Sequence, residues 1–314
     1  MQAEAQQALR LWGMGAAQTV LAARRENTVW RVVMGDQAYA LRFHRPGYRT
    51  AAELRSELHW MRHLALGGLN VPDPIPMPDG AMIGQIGAHP VSLLTWLPGR
   101  PIGAQGALHD IADPAALCRQ LGRDMARLHD LSDDWLRPLN FTRPDWRRDG
   151  LLGDSPVWGR FWDHPHLTAD QRALLLDTRA AAAEALAQIE PTADQGLIHA
   201  DMLTENVLIH DGDLAIIDFD DGAFGFRDFE LATFLGKFLE HPGFETMRAA
   251  LCDGYATRRQ VRHSDLDLFL LLRALTYPGW IMERLNDPGG AQRSARALTV
   301  ALNAAETYLN RRPR

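Results

Sequence analysis

Three polar side chains lie close together in the sequence, each beside a short apolar run, and their types suit the transfer of a phosphoryl group. Asp201 and Asn206 share one polar loop, and residues 207–209 follow it as an apolar run. Asp218 follows a second apolar run, residues 214–217. One Asp can accept a proton from a hydroxyl, whereas an Asn and a second Asp offer the hard oxygen ligands that Mg²⁺ prefers. A base and a metal site are what phosphoryl transfer needs.

The two apolar runs predict the strands of a β-hairpin that positions these side chains. Both runs contain β-branched residues, and Asp211 with Gly212 between them is a typical hairpin-turn sequence. We expect the hairpin to hold Asp201 and Asn206 at one end and to return Asp218 to that same end. The alternative is that all three are turn residues, because Asp and Asn are common in turns. Three of them at this spacing, each against an apolar run, favour a site.

The same residues resemble the motifs of a known family. The spacing His199-x-Asp201-x-x-x-x-Asn206, followed by Asp218 in an Asp-Phe-Asp triplet, resembles the catalytic loop and metal loop of the aminoglycoside phosphotransferase and choline kinase-like family. That family has the protein-kinase fold and includes homoserine kinase type II and the bacterial stress-response kinase. The resemblance implies that Asp201 is the catalytic base, that Asn206 and Asp218 bind Mg²⁺, and that His199 supports the loop.

Length and composition narrow the class of protein. A chain of 314 residues, 46% of them hydrophobic, is long for a single core and fits two lobes. A net charge of −6, without a basic stripe interleaved with aromatics, argues against a nucleic-acid partner. Cys118 and Cys252 lie far apart in the sequence, and we expect structural thiols in a reducing cytoplasm.

Two segments bear on whether the protein enters a membrane or is exported. Residues 1–17 mix polar and apolar side chains and lack the apolar core of a signal peptide. Residues 266–282 are the most apolar stretch, but Asp267, Arg273 and Pro278 interrupt it, so it falls short of a membrane span. We therefore expect a cytoplasmic protein without a membrane partner, whose oligomeric state the sequence leaves open.

The first part of the chain predicts strands and a loop that could cover phosphates. The predicted strands are residues 19–23, 28–34 and 38–44. In the protein-kinase fold, the loop between the first two strands, here residues 24–27, covers the ATP phosphates. Protein kinases place glycines there, and this loop has none. The sequence from Glu26 to Arg31 is instead similar to that of the small-molecule kinases, so Asn27 and Arg31 are candidate nucleotide contacts, with an ordinary hairpin loop as the alternative.

Phosphate binding cannot rely on a lysine in this part of the chain, because the single lysine is Lys237. Arg42 lies on the third strand, where a protein kinase carries its phosphate-binding lysine. Arginine offers a planar fork suited to phosphate, but it is longer and bulkier than lysine. Residues 50–66 predict a helix whose inward stripe includes Glu57, and a buried carboxylate is costly unless it is paired. We therefore predict an Arg42–Glu57 ion pair, with Glu53 on the adjacent edge of the helix as the alternative.

Two further predicted strands complete an antiparallel five-stranded sheet. They are residues 81–86 and 91–96. A Pro- and Gly-rich stretch follows, which is typical of a domain boundary. We predict an α+β, two-lobed protein-kinase-like fold, with the sheet and one main helix in the N-terminal lobe and a larger, mainly helical C-terminal lobe. The predicted divisions are residues 1–94 for the nucleotide-binding lobe, 95–99 for the hinge and 100–314 for the catalytic and substrate-binding lobe. The resemblance implies that the hinge offers backbone groups of Thr95 and Leu97 to adenine.

Helices dominate the rest of the predicted fold. They are expected at residues 114–131, 167–189, 226–238, 245–259, 265–285 and 291–310. His129, near the end of the first, is expected to be a satisfied helix-end histidine rather than a catalytic one. The family places an Asp at the start of the helix after the metal loop, where it braces the catalytic loop. Here Glu230 replaces it, and Asp228 is the alternative brace.

The predicted reaction is transfer of the γ-phosphate of ATP to a hydroxyl of a small molecule. The resemblance implies ATP and Mg²⁺ as cofactors, with GTP as an alternative donor. In the late helices, Arg273 and Arg284 lie beside Tyr277, Trp280 and Glu283. A mixed pocket with arginine suits an acceptor that carries a carboxylate or phosphate better than it suits a polycation. The first acceptor hypothesis is therefore a homoserine-like amino acid or hydroxy acid.

Three alternatives concern other acceptors or other classes of protein. One is an aminoglycoside or choline-type acceptor. Another is a protein serine/threonine kinase of the bacterial stress-response type, although no Ala-Pro-Glu signature follows Asp218. The third is an inactive nucleotide-binding module, which the missing lysine and glycine loop favour and the presence of Asp201, Asn206 and Asp218 argues against.

Overall fold

The computed structural model describes residues 2–24, 27–104 and 106–311, and the chain divides into two compact units. The first unit comprises Met1–Ile102, Asp130–Arg143 and Glu205–Asp220. The second unit comprises Gly103–His129, Pro144–Thr204 and Asp221–Arg314. Each unit therefore draws on several stretches of chain, and the lobe and hinge boundaries predicted above stay a prediction.

A five-stranded antiparallel sheet forms the centre of the first unit, as predicted. Its strands are β1 Gln18–Arg24, β2 Thr28–Met34, β3 Gln37–Phe43, β4 Gly84–Ile86 and β5 His89–Thr95. They lie in the order β1-β2-β3-β5-β4, and every neighbouring pair is antiparallel. The turn between β2 and β3 contains Gly35 at a φ of +60°, which glycine adopts without strain. β4 starts later than predicted, because the Ala81 carbonyl accepts from the Met77 N–H at 2.7 Å in a turn.

One apolar cluster packs the sheet against the first helix, α1 Gln2–Arg10. On β2, Trp30 and Val32 are buried, whereas Arg31 between them is exposed. This alternation is the two-residue period of a half-buried strand. The cluster also contains Ala5, Ala8 and Leu9 of α1 and Leu41 and Leu93 of the neighbouring strands. The side chain of Arg31 is therefore on the face of β2 that this core does not cover.

The helix predicted at residues 50–66 is present as α2 Ala51–Leu66 and begins with a capping box. Thr50 Oγ1 accepts from the Glu53 N–H at 3.2 Å, and Glu53 accepts from the Thr50 N–H at 2.8 Å. These bonds satisfy N–H groups that a helix start leaves free. Glu53 is thus a capping residue, and the alternative in which it pairs with Arg42 is wrong. The buried stripe of α2 includes Leu54, Glu57, Leu58, Met61 and Leu64.

The predicted hairpin is formed by two of the remaining strands, which are all short. These strands are β6 Arg100–Pro101, β7 Gly103–Ala104, β8 Ala107–Leu108, β9 Gln195–Ile198, β10 Val207–His210, β11 Asp213–Ile216 and β12 Ala223–Phe226. β10 pairs with β11, and the turn residues Asp211 and Gly212 have φ values of +50° and +91°, as the favoured two-residue hairpin turn requires. The Ile217 N–H donates to the Asn206 carbonyl at 2.9 Å. Asn206 and the chain entering Asp218 therefore meet at the predicted end of the hairpin.

Helices make up most of the second unit. The helices after α2 are α3 Pro114–Asp133, α4 Arg148–Leu152, α5 Ala169–Ile189, α6 Arg227–Leu235, α7 Phe244–Ala256, α8 His263–Ile281 and α9 Gly290–Arg311. Residues 130–133 of α3 belong to the first unit. All six helices predicted in this part of the sequence are present, although α6, α7 and α8 end a few residues earlier than predicted. β9 pairs with β12 in the same unit.

The cysteines and the apolar segment can also be compared with the structure. Cys118 and Cys252 are buried free thiols, as expected for structural cysteines. Among the residues that the structure describes, no helix is long and apolar enough to cross a membrane.

Candidate functional site

The candidate residues fall into two groups, one in each unit, and the first group surrounds the loop that follows β11. Residues 218–220 form this predicted metal loop. Its first residue, Asp218, has a φ of +68°, a left-handed conformation that Asp tolerates better than most residues. The Asp218 side chain is 51% exposed, whereas Asn206 is buried. Amide and carboxylate oxygens are the ligands that Mg²⁺ takes. The donor chemistry of Asn206 and Asp218 therefore fits the predicted metal.

The predicted Arg42–Glu57 ion pair is present, which confirms this contact. Arg42 Nη1 lies 2.9 Å from Glu57 Oε1, and both side chains are buried. Arg42 Nη2 lies 3.4 Å from Asp218 Oδ1, so the same guanidinium also faces the metal loop. Burial by itself lowers the pKa of Arg42, but the carboxylates of Glu57, Asp218 and Asp220 outweigh it and hold that pKa above its ordinary value. The guanidinium therefore stays charged beside the candidate metal ligand.

A second arginine contacts Glu57, and the sequence did not predict it. Arg143 Nη1 lies 3.5 Å from Glu57 Oε2, and both side chains are fully buried. Arg143 Nη2 donates to the carbonyls of Phe219 at 3.1 Å and Asp220 at 2.5 Å. Because two of the partners of Arg143 are backbone carbonyls, no pattern of residue types in the sequence predicts these contacts. The predicted pair is therefore part of a larger group that includes the backbone of the metal loop.

Among the predicted nucleotide contacts, Asn27 reaches the metal loop and Arg31 does not. Asn27 Nδ2 donates to Asp220 Oδ2 at 3.4 Å, and Asn27 Oδ1 accepts from the Arg45 N–H at 3.1 Å. The Arg31 guanidinium lies over the Trp96 ring, 5.5 Å from its centroid. Of the other members of the predicted cover loop, Arg24 is the last residue of β1, and residues 25 and 26 lie outside the described part of the chain.

At the predicted hinge, the Thr95 backbone N–H already has a partner. It donates to the Asp73 carbonyl at 2.9 Å, and Thr95 Oγ1 accepts from the Asp73 N–H at 2.9 Å. A contact from Thr95 to adenine would therefore use the carbonyl rather than the N–H. Leu97, the other hinge residue in this prediction, is partly exposed. The role of both residues stays a prediction.

The second group, in the second unit, lies on the predicted catalytic loop, which follows β9 and contains His199 and Asp201. Its backbone is held by Glu230, which accepts from the N–H groups of His199 and Ala200, the latter at 3.2 Å. Ala200 has a φ of +65°, a conformation that costs a residue with a Cβ about 1–3 kcal/mol and persists only when its surroundings impose it. The Asp201 N–H donates to His199 Nδ1 at 3.3 Å. Between the two brace residues left open by the sequence, the structure therefore selects Glu230 over Asp228.

His129 lies behind this brace and is not exposed. His129 Nδ1 is hydrogen-bonded to the Tyr255 hydroxyl at 2.7 Å, and His129 Nε2 lies 3.6 Å from Glu230 Oε2. Burial, with the charges of Arg227 and Arg259, lowers the pKa of His129 well below its ordinary value. Burial also raises the pKa of Glu230 to about 7, against the backbone bonds that favour its charged form. The neutral histidine fits the predicted structural role.

The Asp201 carboxylate faces a buried arginine. Arg273 Nη2 lies 3.6 Å from Asp201 Oδ1, and the Asp201 side chain is 23% exposed. The Arg273 guanidinium lies 4.7 Å from the centroid of the Trp158 ring and 3.4 Å from Thr276 Oγ1. Burial lowers the pKa of Arg273, and the Asp201 carboxylate opposes that shift. The candidate base therefore has a cation on one side and retains an accessible surface.

An aromatic and cationic cluster continues from α8. The rings of Tyr277 and Trp280 are stacked with their centroids 5.2 Å apart, and the Arg284 guanidinium lies 3.9 Å from the Trp280 centroid. The Trp158 ring is 6.1 Å from that of Trp280. Glu283 is exposed beside Arg284. The structure thus brings together the arginine and aromatic residues that the sequence predicted as a mixed pocket.

Comparison with known proteins gives similarities over most of the chain. Residues 17–264 match the phosphotransferase enzyme family. A homoserine kinase from Chelativorans sp. (strain BNC1) is 30% identical over 241 residues, which cover 74% of this chain and 69% of that protein. The structure of the microcompartment-associated aminopropanol kinase has a TM-score of 0.83 at 27% identity and covers 99% of this chain and 98% of its own. An amicoumacin kinase in complex with AMP-PNP and Ca²⁺ shares the fold, with a TM-score of 0.74 at 20% identity over 96% of this chain and 93% of its own.

Proposed function

The chain belongs to the phosphotransferase enzyme family and is a small-molecule kinase, and we propose that it transfers the γ-phosphate of ATP to the hydroxyl of a homoserine-like amino acid. The α+β, protein-kinase-like fold predicted from the sequence is confirmed by the same comparisons. The identities of donor, metal and acceptor belong to the proposal. They are supported by the contacts of the two residue groups described above.

The observation that carries the proposal is the way the second unit holds Asp201. Glu230 fixes the two N–H groups that precede Asp201, and His199 Nδ1 accepts the N–H of Asp201 itself. The carboxylate is left partly exposed, as a base that must meet a substrate requires. In the proposed reaction, Asp201 accepts the proton of the acceptor hydroxyl. The acceptor oxygen then bonds to the γ-phosphorus, and the bond from that phosphorus to the bridging oxygen breaks to release ADP.

The first unit supplies the groups proposed for the donor. Asn206 and Asp218 would hold Mg²⁺, which when bound neutralises charge that develops on the phosphates. Arg42 is proposed to bind the phosphates that are not transferred, because its guanidinium is charged and faces the metal loop. Glu57 holds Arg42 Nη1 at 2.9 Å and so orients the fork.

Replacing Arg42 by Lys tests the proposed phosphate contact. Lysine keeps the charge but is shorter and loses the fork, so one contact to a charged group is lost at a cost of about 1.5–3 kcal/mol, or roughly 10- to 150-fold in turnover. We expect partial activity in a Mg²⁺-ATP assay, with the exposed Arg55→Lys variant of α2 at the parental rate. A parental rate for Arg42→Lys, or no coupling between residues 42 and 57 in a double-mutant cycle, would contradict this assignment. Arg31 or residues 24 and 25 would then be the candidates for phosphate binding.

The acceptor class is argued from Arg273. Its guanidinium is buried, and its nearest carboxylate oxygen, on Asp201, is 3.6 Å away, longer than a charge-assisted hydrogen bond. A second carboxylate, supplied by the acceptor, would give this guanidinium another charged partner and would bring a nearby hydroxyl to Asp201. Homoserine has such a carboxylate and aminopropanol does not, although both offer an amine and a hydroxyl. The relatives include kinases named for each, so the carboxylate is the feature to test.

Acceptor selectivity provides the measurement. The parent enzyme with Mg²⁺-ATP is expected to have a higher kcat/KM for homoserine than for aminopropanol. Arg273→Met should lower kcat/KM for homoserine by about 10- to 150-fold more than for aminopropanol, which is the worth of one hydrogen bond to a charged group. Any general loss of activity caused by a change at Asp201 affects both acceptors and cancels in the ratio of their kcat/KM values. The exposed Arg296→Met variant of α9 is the control.

Other outcomes of the same panel would contradict this assignment. If the parent enzyme prefers aminopropanol, the acceptor does not need a carboxylate, and the assignment to a homoserine-like amino acid is wrong. Transfer to an aminoglycoside or to choline, or to a generic protein acceptor, would support the other acceptor hypotheses. Binding of Mg²⁺-ATP without transfer to any acceptor would indicate an inactive module.

A further inference from the structure

Arg143 connects two parts of the first unit that carry candidate site residues. Its guanidinium meets α2 through the Glu53 carbonyl at 3.2 Å and Glu57 Oε2 at 3.5 Å. On its other side it donates to the carbonyls of Phe219 and Asp220. Because Nη1 and Nη2 of Arg143 both have partners and the side chain is fully buried, the guanidinium is held in one orientation.

The backbone next to Arg143 is anchored independently of the guanidinium. The Thr142 N–H donates to Ser56 Oγ at 2.9 Å, and Ser56 Oγ in turn donates to the Ala52 carbonyl at 2.9 Å. Ser56 directly precedes Glu57 on α2. The arginine therefore extends to the metal loop from a fixed point on this helix.

The carbonyls that Arg143 binds follow directly after Asp218. Asp218 has a φ of +68°, so its backbone needs support from its neighbours. The Phe219 ring is buried and lies edge-on to Trp60 of α2, with centroids 5.2 Å apart. Arg143 thus holds Phe219 and Asp220 through their carbonyls, and Trp60 packs against the ring of Phe219.

Glu57 completes the connection. One of its oxygens faces Arg42 at 2.9 Å and the other faces Arg143 at 3.5 Å. We propose that Arg143 is a positioning residue, which sets the orientation of Asp218 for the metal by joining Glu57 to the metal loop. This inference rests on the proposed function, because it concerns the metal ligand named there. Arg143 does not contact the reacting groups in this scheme and acts only through Asp218 and Glu57.

The test measures how Mg²⁺ promotes binding of a non-hydrolysable ATP analogue, which requires no acceptor. Supporting residues around a metal site are worth about 10- to 100-fold in metal affinity, so Arg143→Ala should raise the half-saturating Mg²⁺ concentration by that factor. Binding of the analogue without Mg²⁺ should be little changed. Arg143→Lys should be intermediate, and methylguanidinium in solution should restore part of the Mg²⁺ response of Arg143→Ala. The exposed Arg55→Ala variant of α2 is the control.

The outcomes separate this inference from the proposed function. No Mg²⁺-dependent nucleotide binding by the parent would contradict the proposed function. A parental Mg²⁺ response in Arg143→Ala, with normal binding by the parent, would overturn the positioning role alone. If Arg143→Ala does not fold, Arg143→Lys decides: a raised Mg²⁺ requirement in a folded protein supports the role, and a parental one overturns it.

Discussion

Replacing Asp201 by Asn is expected to lower phosphoryl transfer by about 10²–10⁴-fold, the usual worth of a positioned general base. Asn keeps the size of the side chain and the backbone bond from residue 201 to His199 Nδ1, but it cannot take the acceptor proton. Nucleotide binding should be nearly unchanged, because the groups proposed for the donor lie in the first unit. The measurement is kcat and the KM for ATP with the acceptor identified by the panel.

The control for this variant is Asp213→Asn, at an exposed position on β11, which should retain the parental kcat. Asp201→Asn also removes the carboxylate that faces Arg273, so the thermal stability of the variant should be recorded beside its rate. Undiminished turnover by a folded Asp201→Asn enzyme would show that Asp201 is not the base.

Replacing Asp218 by Ala should abolish Mg²⁺-dependent nucleotide binding. The carboxylate is the charged member of the proposed ligand pair, and Asn206 alone offers one neutral oxygen to a metal that favours carboxylates. The stabilising effect of Mg²⁺-ATP on thermal unfolding is the measurement, because a ligand that binds only the folded state raises the unfolding temperature. Asp213→Ala is the matched control. A shift in Asp218→Ala as large as in the parent would remove Asp218 from the metal site.

The part of the site that depends on local periodicity could be predicted from the sequence. The apolar stripe of α2 placed Glu57 on the inward face, where a carboxylate needs a cation. With one lysine in the chain, at residue 237, the cation on the third strand had to be Arg42. The structure confirms both the burial and the contact. The hairpin could also be predicted, because its turn residues and its two apolar runs both indicate a hairpin.

Contacts that depend on the rotation of a helix could not be predicted. Asp228 and Glu230 both lie in the first turn of α6, and both are carboxylates that could reach a loop. The structure aims Glu230 at the catalytic loop, whereas Asp228 is buried near Asp194 and Asp265, and burial with these charges raises its pKa to about 7. A difference of two residues changes direction by more than half a turn of helix, and the sequence offers no marker for which direction faces the loop.

Contacts to backbone atoms were hidden for another reason. The partners of Arg143 are largely carbonyls, and the Thr95 N–H is taken by the Asp73 carbonyl. Every residue has a carbonyl, so no residue type marks such a partner. The long-range pairing of these groups becomes visible only when the chain has folded.

The division of the first unit among three stretches of chain has a consequence for how the protein is made. During synthesis Arg42 and Glu57 emerge from the ribosome early, whereas Arg143 and then Asp218 emerge much later. A nascent chain that ends at residue 102 contains one of the two guanidiniums that face Glu57 and none of the metal loop. Nascent domains generally fold as units, so this unit can complete its packing only after residue 220 has been synthesised. A gene fragment or fusion that is meant to carry this unit alone must therefore include all three stretches.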